Sequence, residues 1–119
     1  MQYVIIINEP QSDFDKRTNA EAPAYWAAWK AYSQALAGAG VIRGGAALQG
    51  PETATVVRLE GGKRHVQDGP FADSKEQLGG FYIIDVKGLD EALHWAALCP
   101  AASSGAVEVR PVLPMEPMA

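Results

Sequence analysis

Apolar residues along the chain gather into short runs divided by turn chemistry. Residues 3–7 are Tyr-Val-Ile-Ile-Ile, and Asn8, Glu9 and Pro10 behind them predict a strand ending in a turn. Its two faces, Tyr3, Ile5, Ile7 and Val4, Ile6, Asn8, are both largely apolar. Residues 10–20 are polar and charged, with Asp13, Asp15, Lys16 and Arg17, and read as a surface loop. Over residues 22–39 the period becomes helical, with Ala22, Tyr25, Trp26, Trp29, Tyr32 and Leu36 inside one arc of about 120°. Thr18 and Glu21 have capping-box spacing, but that start would bury Pro23 inside the helix, so Pro23 near the first helical position is the better register. The glycines at 38 and 40 stop the helix.

The second half is richer in strands. Residues 41–49 include Gly44 and Gly45 and read as a weak, bulged strand. Residues 53–59 and 64–67 form a hairpin about the turn Glu60-Gly61-Gly62-Lys63. Another strand covers 80–86. A helix at 89–99 follows, with Gly88 as N-cap, Asp90 and Glu91 near the positive end of its dipole, a seam of Leu89, Ala92, Leu93 and Ala96, and Pro100 as its stop. Residues 101–105 read as a small polar loop, 107–112 as the last strand, and the tail from Pro114 to Ala119 as frayed.

This order predicts an α+β, ferredoxin-like protomer, two helices covering one face of an antiparallel sheet. The other face would be open, yet both faces are apolar. With no third helix to cover it, a second copy of the chain is the economical cover, and a homodimer follows.

Composition narrows the classes. The chain has 119 residues, 48% of them hydrophobic, enough for the core of a single domain over 1–119. Ten basic and fourteen acidic residues give a net charge of −4, and the scattered Lys and Arg argue against direct nucleic-acid binding. No apolar run approaches the ~20 residues of a membrane span, and the N-terminus enters a strand without a basic leader, so a cytoplasmic protein with no membrane partner is expected. The lone Cys99 fits a reducing compartment. Two His and one Cys without ligand spacing point to no metal, and nothing in the sequence calls for another cofactor.

Asp68-Gly69-Pro70-Phe71, Lys75-Glu76, Gly79-Gly80-Phe81, Leu89-Asp90-Glu91-Ala92 with Trp95-Ala96, Cys99-Pro100 and Val107-Glu108-Val109-Arg110-Pro111 run through most of the chain. Together they resemble the YCII-related family in its DGPF branch. The resemblance implies a dimeric α+β barrel of ferredoxin-like protomers. It also implies, for some relatives, accessory roles beside sigma factors, and for a related branch a dehydrochlorinase with a His-Asp pair.

Candidate site residues follow from the loop between the hairpin and the strand at 80–86. Pro70 fixes its own φ and restricts Gly69 to extended backbone, so the loop is rigid. Asp68 is the leading candidate for a general base, its plainer role being a turn-capping acid. The usual Asx bond is closed to it, since Pro70 has no N–H, leaving the Phe71 amide or Arg110 as partners. His65 lies three residues earlier, on the opposite face of an extended strand, so a His65-Asp68 pair requires a bend. The aromatic seam of the first helix is either core packing or, at Trp26 and Trp29, a pocket wall. Phe71, Glu76 and Arg110 join Asp68 as pocket candidates, and Arg110 also shares a face with Glu108, with which it can pair. His94 reads as a surface or half-buried residue rather than a ligand, and Cys99 as a small buried hydrophobe. Gly79-Gly80 enters a strand and is no phosphate loop. Two functions fit: a small-molecule-binding or regulatory protein with a pocket near the dimer interface, or an isomerase- or lyase-type acid-base enzyme acting on a small cyclic acid with Asp68 as base.

Overall fold

The computed structural model describes residues 1–115. In chain order the elements are β1 (Gln2–Pro10), α1 (Gln11–Lys16), α2 (Ala22–Gly38), β2 (Ile42–Ala47), β3 (Thr55–Glu60), β4 (Lys63–Asp68), β5 (Glu76–Asp85), α3 (Leu89–Leu98), α4 (Ala101–Ser104) and β6 (Ala106–Pro111). β2, β5, β1 and β6 form one antiparallel sheet in that order, and β3 with β4 forms a separate ribbon. The architecture is α+β and compatible with the ferredoxin-like plan.

β1 sets the layering. Tyr3, Ile5, Ile7 and Glu9 are buried and alternate with half-buried Val4, Ile6, Asn8 and Pro10. Residues opposite one another in an antiparallel pair share a face, so Ile84 and Tyr82 on β5 join Tyr3 and Ile5, and Val107 and Val109 on β6 join Ile7 and Ile5. Tyr32 and Leu36 from α2, Ala92 and Ala96 from α3, and Cys99 and Ala101 complete this core. On the other face stand Val4, Ile6, Phe81 and Ile83, half-buried, with Glu108 and Arg110 exposed. The face without helices over it among the described residues is therefore the one bearing Ile6, while Ile84, at 0% exposure, belongs to the core.

Several expectations change. The loop at 10–20 contains α1, a six-residue helix whose Phe14 and Asp13 are buried. A helix this short has too few apolar positions to show a period. β1 runs on through Glu9 and Pro10, opposite Gln77 and Glu76, rather than turning at Asn8. Residues 101–104 are helical, giving four α-helices among the described residues where two were expected. The buried stripe of α3 is rotated toward Ala92, Ala96 and Cys99 with Trp95 partly buried, leaving Leu89 and Leu93 about half exposed. The strand expected at 80–86 begins four residues earlier. The expected fraying at the C-terminus falls mainly on residues 116–119, outside the described residues.

The hairpin forms as read. Gly61 and Gly62 take φ of 57° and 77°, the left-handed pair a two-residue hairpin turn demands. Every residue of β4 is exposed, and only Val56 of β3 is half-buried. The ribbon stands away from the body, and the radius of gyration is 16.3 Å. A compact chain of this length would have about 13.5 Å.

Candidate functional site

Where α2 crosses the sheet, the strands beneath it carry almost no side chains. Gly45, Ala47 and Gly80 face the helix from β2 and β5, and above them α2 presents Tyr25, Trp26 and Trp29. The result is a cavity of about 190 Å³, also lined by Ile7, Glu9, Arg17 and Tyr82. The aromatic seam of α2 thus divides: Tyr32 and Leu36 pack in the core, whereas Trp29 is half-buried and Trp26 is 42% exposed over the cavity. The rings form a chain of edge contacts, Tyr25 to Trp26 at 5.0 Å, Trp29 to Tyr32 at 6.2 Å and Tyr32 to Tyr82 at 5.5 Å between centroids.

A buried charge lies at one end. Glu9 is 2% exposed, and its carboxylate takes one contact at each oxygen: Arg17 Nη2 at 3.3 Å and the Tyr25 hydroxyl, which donates at 2.6 Å. Arg17 also donates to the carbonyls of Gly79, at 3.2 Å, and Leu48, and its guanidinium lies 4.8 Å from the Phe14 ring centroid and 5.8 Å from that of Trp26. Its Nε is buried with no hydrogen-bond partner among the described residues. Burial and then the Glu9 carboxylate push the Tyr25 phenol up to about 12, so it is a proton donor to Glu9 throughout the neutral range. Tyr82 shares a 2.6 Å hydrogen bond with Ser33, which fixes its ring at the opposite wall.

Gly79 explains the close approach of Glu9. A Cβ there would land on Glu9 Oε1 and 3.3 Å from Arg17 Nη2, so any side chain would displace the ion pair. β5 shifts register at this point, with Ile7 opposite Gly80 and Asn8 opposite Leu78.

Of the residues proposed from sequence, Trp26 and Trp29 line this cavity and the others do not. Asp68 ends β4 opposite Thr55, exposed, with no hydrogen-bond or ion-pair partner among the described residues; it reaches neither the Phe71 amide nor Arg110. Gly69 beside it takes φ of 102°, not the extended backbone expected before proline. His65 points to the other face of the ribbon, 3.8 Å from Glu60, so no His65-Asp68 pair forms. Phe71 is 75% exposed with the Arg58 guanidinium 5.1 Å from its ring centroid, and with Glu76 it borders a different hollow at the foot of the ribbon. Arg110 bonds Glu108 on the open sheet face, the pairing their spacing allows. His94 is exposed, and Cys99 is buried with its thiol pushed up to about 11 by desolvation.

Glu9, Arg17, Tyr25 and Tyr82 were not singled out by sequence. For Glu9 a signal existed, because the alternation Tyr3, Ile5, Ile7 continues to position 9. Among the described residues no group of three or more His, Cys, Asp and Glu is arranged to hold a metal ion, and no helix is long and apolar enough to cross a membrane.

Fold and site together define a small α+β protein with an antiparallel sheet and an aromatic-walled cavity over a buried ion pair. The chain matches the YCII-related domain over residues 1–116 and belongs to that family. It is similar to an uncharacterised protein of Rhizobium meliloti (strain 1021), 48% identical over 66 residues. That match covers 54% of this chain and 53% of the relative, about half the length of each.

Proposed function

We propose that this protein binds a small molecule in the cavity between α2 and the glycine-rich strands, as a regulatory or accessory member of the DGPF branch. The observation that carries this reading is the cavity beside Glu9, Arg17 and Tyr25. Its size is decisive: cavities of about 150 Å³ accept benzene, so 190 Å³ fits one ring with one or two substituents. Tyr25, Trp26, Trp29 and Tyr82 favour a flat ring. Glu9 and Arg17 cancel each other's charge, which favours an uncharged ring, and with Tyr25 they give one end of the lining polar groups, which favours a ring with a polar substituent.

The cavity lies on the helix side of the sheet, within one protomer. A second copy is proposed to cover the opposite face through Val4, Ile6, Phe81 and Ile83, completing a dimeric α+β barrel. The site is thus moved from the interface itself to the far side of the sheet that forms it. Asp68 stands outside the cavity, so the reading of Asp68 as a catalytic base has no support from geometry.

Thermal unfolding in millimolar benzamide, with toluene as the ring lacking a polar substituent, tests this. Benzamide should raise the melting temperature more than toluene, and Ala47→Leu, which fills the cavity floor, should abolish the rise. Equal rises in parent and variant would refute the assignment.

A further inference from the structure

The ribbon of β3 and β4 presents two unlike faces. Cross-strand partners place Thr55 with Asp68, Val57 with Val66 and Leu59 with Arg64 on one side, and Val56 with Gln67, Arg58 with His65 and Glu60 with Lys63 on the other. One side is charged and carries Phe71 against Arg58. The other carries an apolar cluster flanked by Thr55, Asp68 and Arg64, and that cluster is uncovered: Val57 is 58%, Leu59 74% and Val66 55% exposed. A free two-stranded ribbon is marginal in water, and three exposed large apolar residues clustered on one of its faces fit a strand pair with that face against something.

We infer that the ribbon is an arm that lies on a second copy of this chain, its Val57, Leu59 and Val66 face extending the contact begun by the open sheet. This rests on the homodimer proposed above. Two observations select a second copy as the occupant. The first is area: strands of 9, 10, 6 and 6 residues at ~3.3 Å per residue and ~4.8 Å apart offer about 490 Å² of projected face, and the ribbon adds about 190 Å². A standard interface takes about 800 Å² per partner, so the sheet alone supplies about 60% and the arm brings the total close to it. The second is charge. Residues 55–68 hold three of the ten Lys and Arg (Arg58, Lys63, Arg64) and two of the fourteen Asp and Glu (Glu60, Asp68), leaving seven basic against twelve acidic residues elsewhere. A net basic arm meets a net acidic body, and two-fold symmetry makes that contact twice.

Sedimentation equilibrium of the full chain, Leu59→Glu and Ile6→Glu tests this, together with photo-cross-linking from benzoylphenylalanine placed at Val57 in a mixture of ¹⁴N- and ¹⁵N-labelled protein. The expected result is a parent species of about twice 12.7 kDa, a dimer dissociation constant raised about tenfold or more by Leu59→Glu with an unchanged circular dichroism spectrum, and cross-linked peptides of mixed isotope. A parent-like constant for Leu59→Glu while Ile6→Glu dissociates the dimer overturns the arm and leaves the homodimer standing. Cross-links confined to one isotope also overturn the arm. A monomeric parent at micromolar concentration, whether or not the arm captures another protein, overturns both.

Discussion

Leu36 and Leu59 are the same side chain in opposite settings. Leu36, on α2, is 0% exposed among Tyr3, Ile5 and Ile84, whereas Leu59, on the ribbon, is 74% exposed with no cover from its own protomer. The four-stranded sheet is sandwiched on one side by helices and so can hold even a carboxylate, Glu9, in its interior. The ribbon obeys the same pairing rules without that cover. Strand pairing is thus local, while burial depends on what is laid against the face, and among the described residues only one of the three sheet faces that carry apolar side chains is covered.

The largest effect is expected inside the covered layer. Glu9→Ala leaves the Arg17 guanidinium 15% exposed and without its counter-charge, and should cost on the order of 3–5 kcal/mol in chemical denaturation. A loss below about 1 kcal/mol would mean that water or backbone carbonyls suffice for Arg17. The direct contrast comes next. Leu36→Ala should cost about 2–5 kcal/mol at any protein concentration. Leu59→Ala should cost less than about 0.5 kcal/mol in dilute protein, its effect growing with concentration as association becomes part of stability. Equal, concentration-independent losses would erase the distinction between body and arm.

An effect between these two is expected at Tyr25. Tyr25→Phe removes a hydrogen bond to a charged acceptor and should cost about 1.5–3 kcal/mol near neutral pH. Its pH dependence has a defined sign. The folded phenol is raised from 10.0 to about 12, so the folded state holds this proton more tightly than the unfolded state does. The stabilisation is complete below pH 10 and is lost as pH rises through 12. Melting temperatures between pH 9 and 11 should therefore fall less steeply in Tyr25→Phe than in the parent, although Tyr32, also raised by burial, contributes to both. The smallest effect is expected on the ribbon: Asp68→Asn removes an unpartnered exposed charge and should change stability by less than about 0.5 kcal/mol. A larger loss would mean that Asp68 makes a contact outside the described residues.

The same division explains what could be read from sequence. Periodicity gave the strands, both long helices, the Gly61-Gly62 turn and the two-sided apolarity of β1, since these depend on neighbours within a few residues. It did not give α1, where Phe14 is the one large apolar residue in six, or α4, which is a single turn. At the site, Trp26 and Trp29 were legible from helical spacing. Glu9 and Arg17 were not, because each reads as solvated until β1 is carried through Pro10 and α1 folds Arg17 back over the sheet. Asp68 drew attention through its motif, yet a motif does not say which way a ribbon leans, and the ribbon carries Asp68 away from the cavity.

Ligand binding in the cavity under α2 is the claim that the three tryptophans can test by direct measurement. Trp26 and Trp29 line it, while Trp95 lies on α3 outside it. In a ¹H–¹⁵N correlation spectrum titrated with benzamide, the indole signals of Trp26 and Trp29 should move saturably and that of Trp95 should stay, with the movement lost in Ala47→Leu. Shifts of all three indoles alike, or unchanged shifts in Ala47→Leu, would contradict the claim.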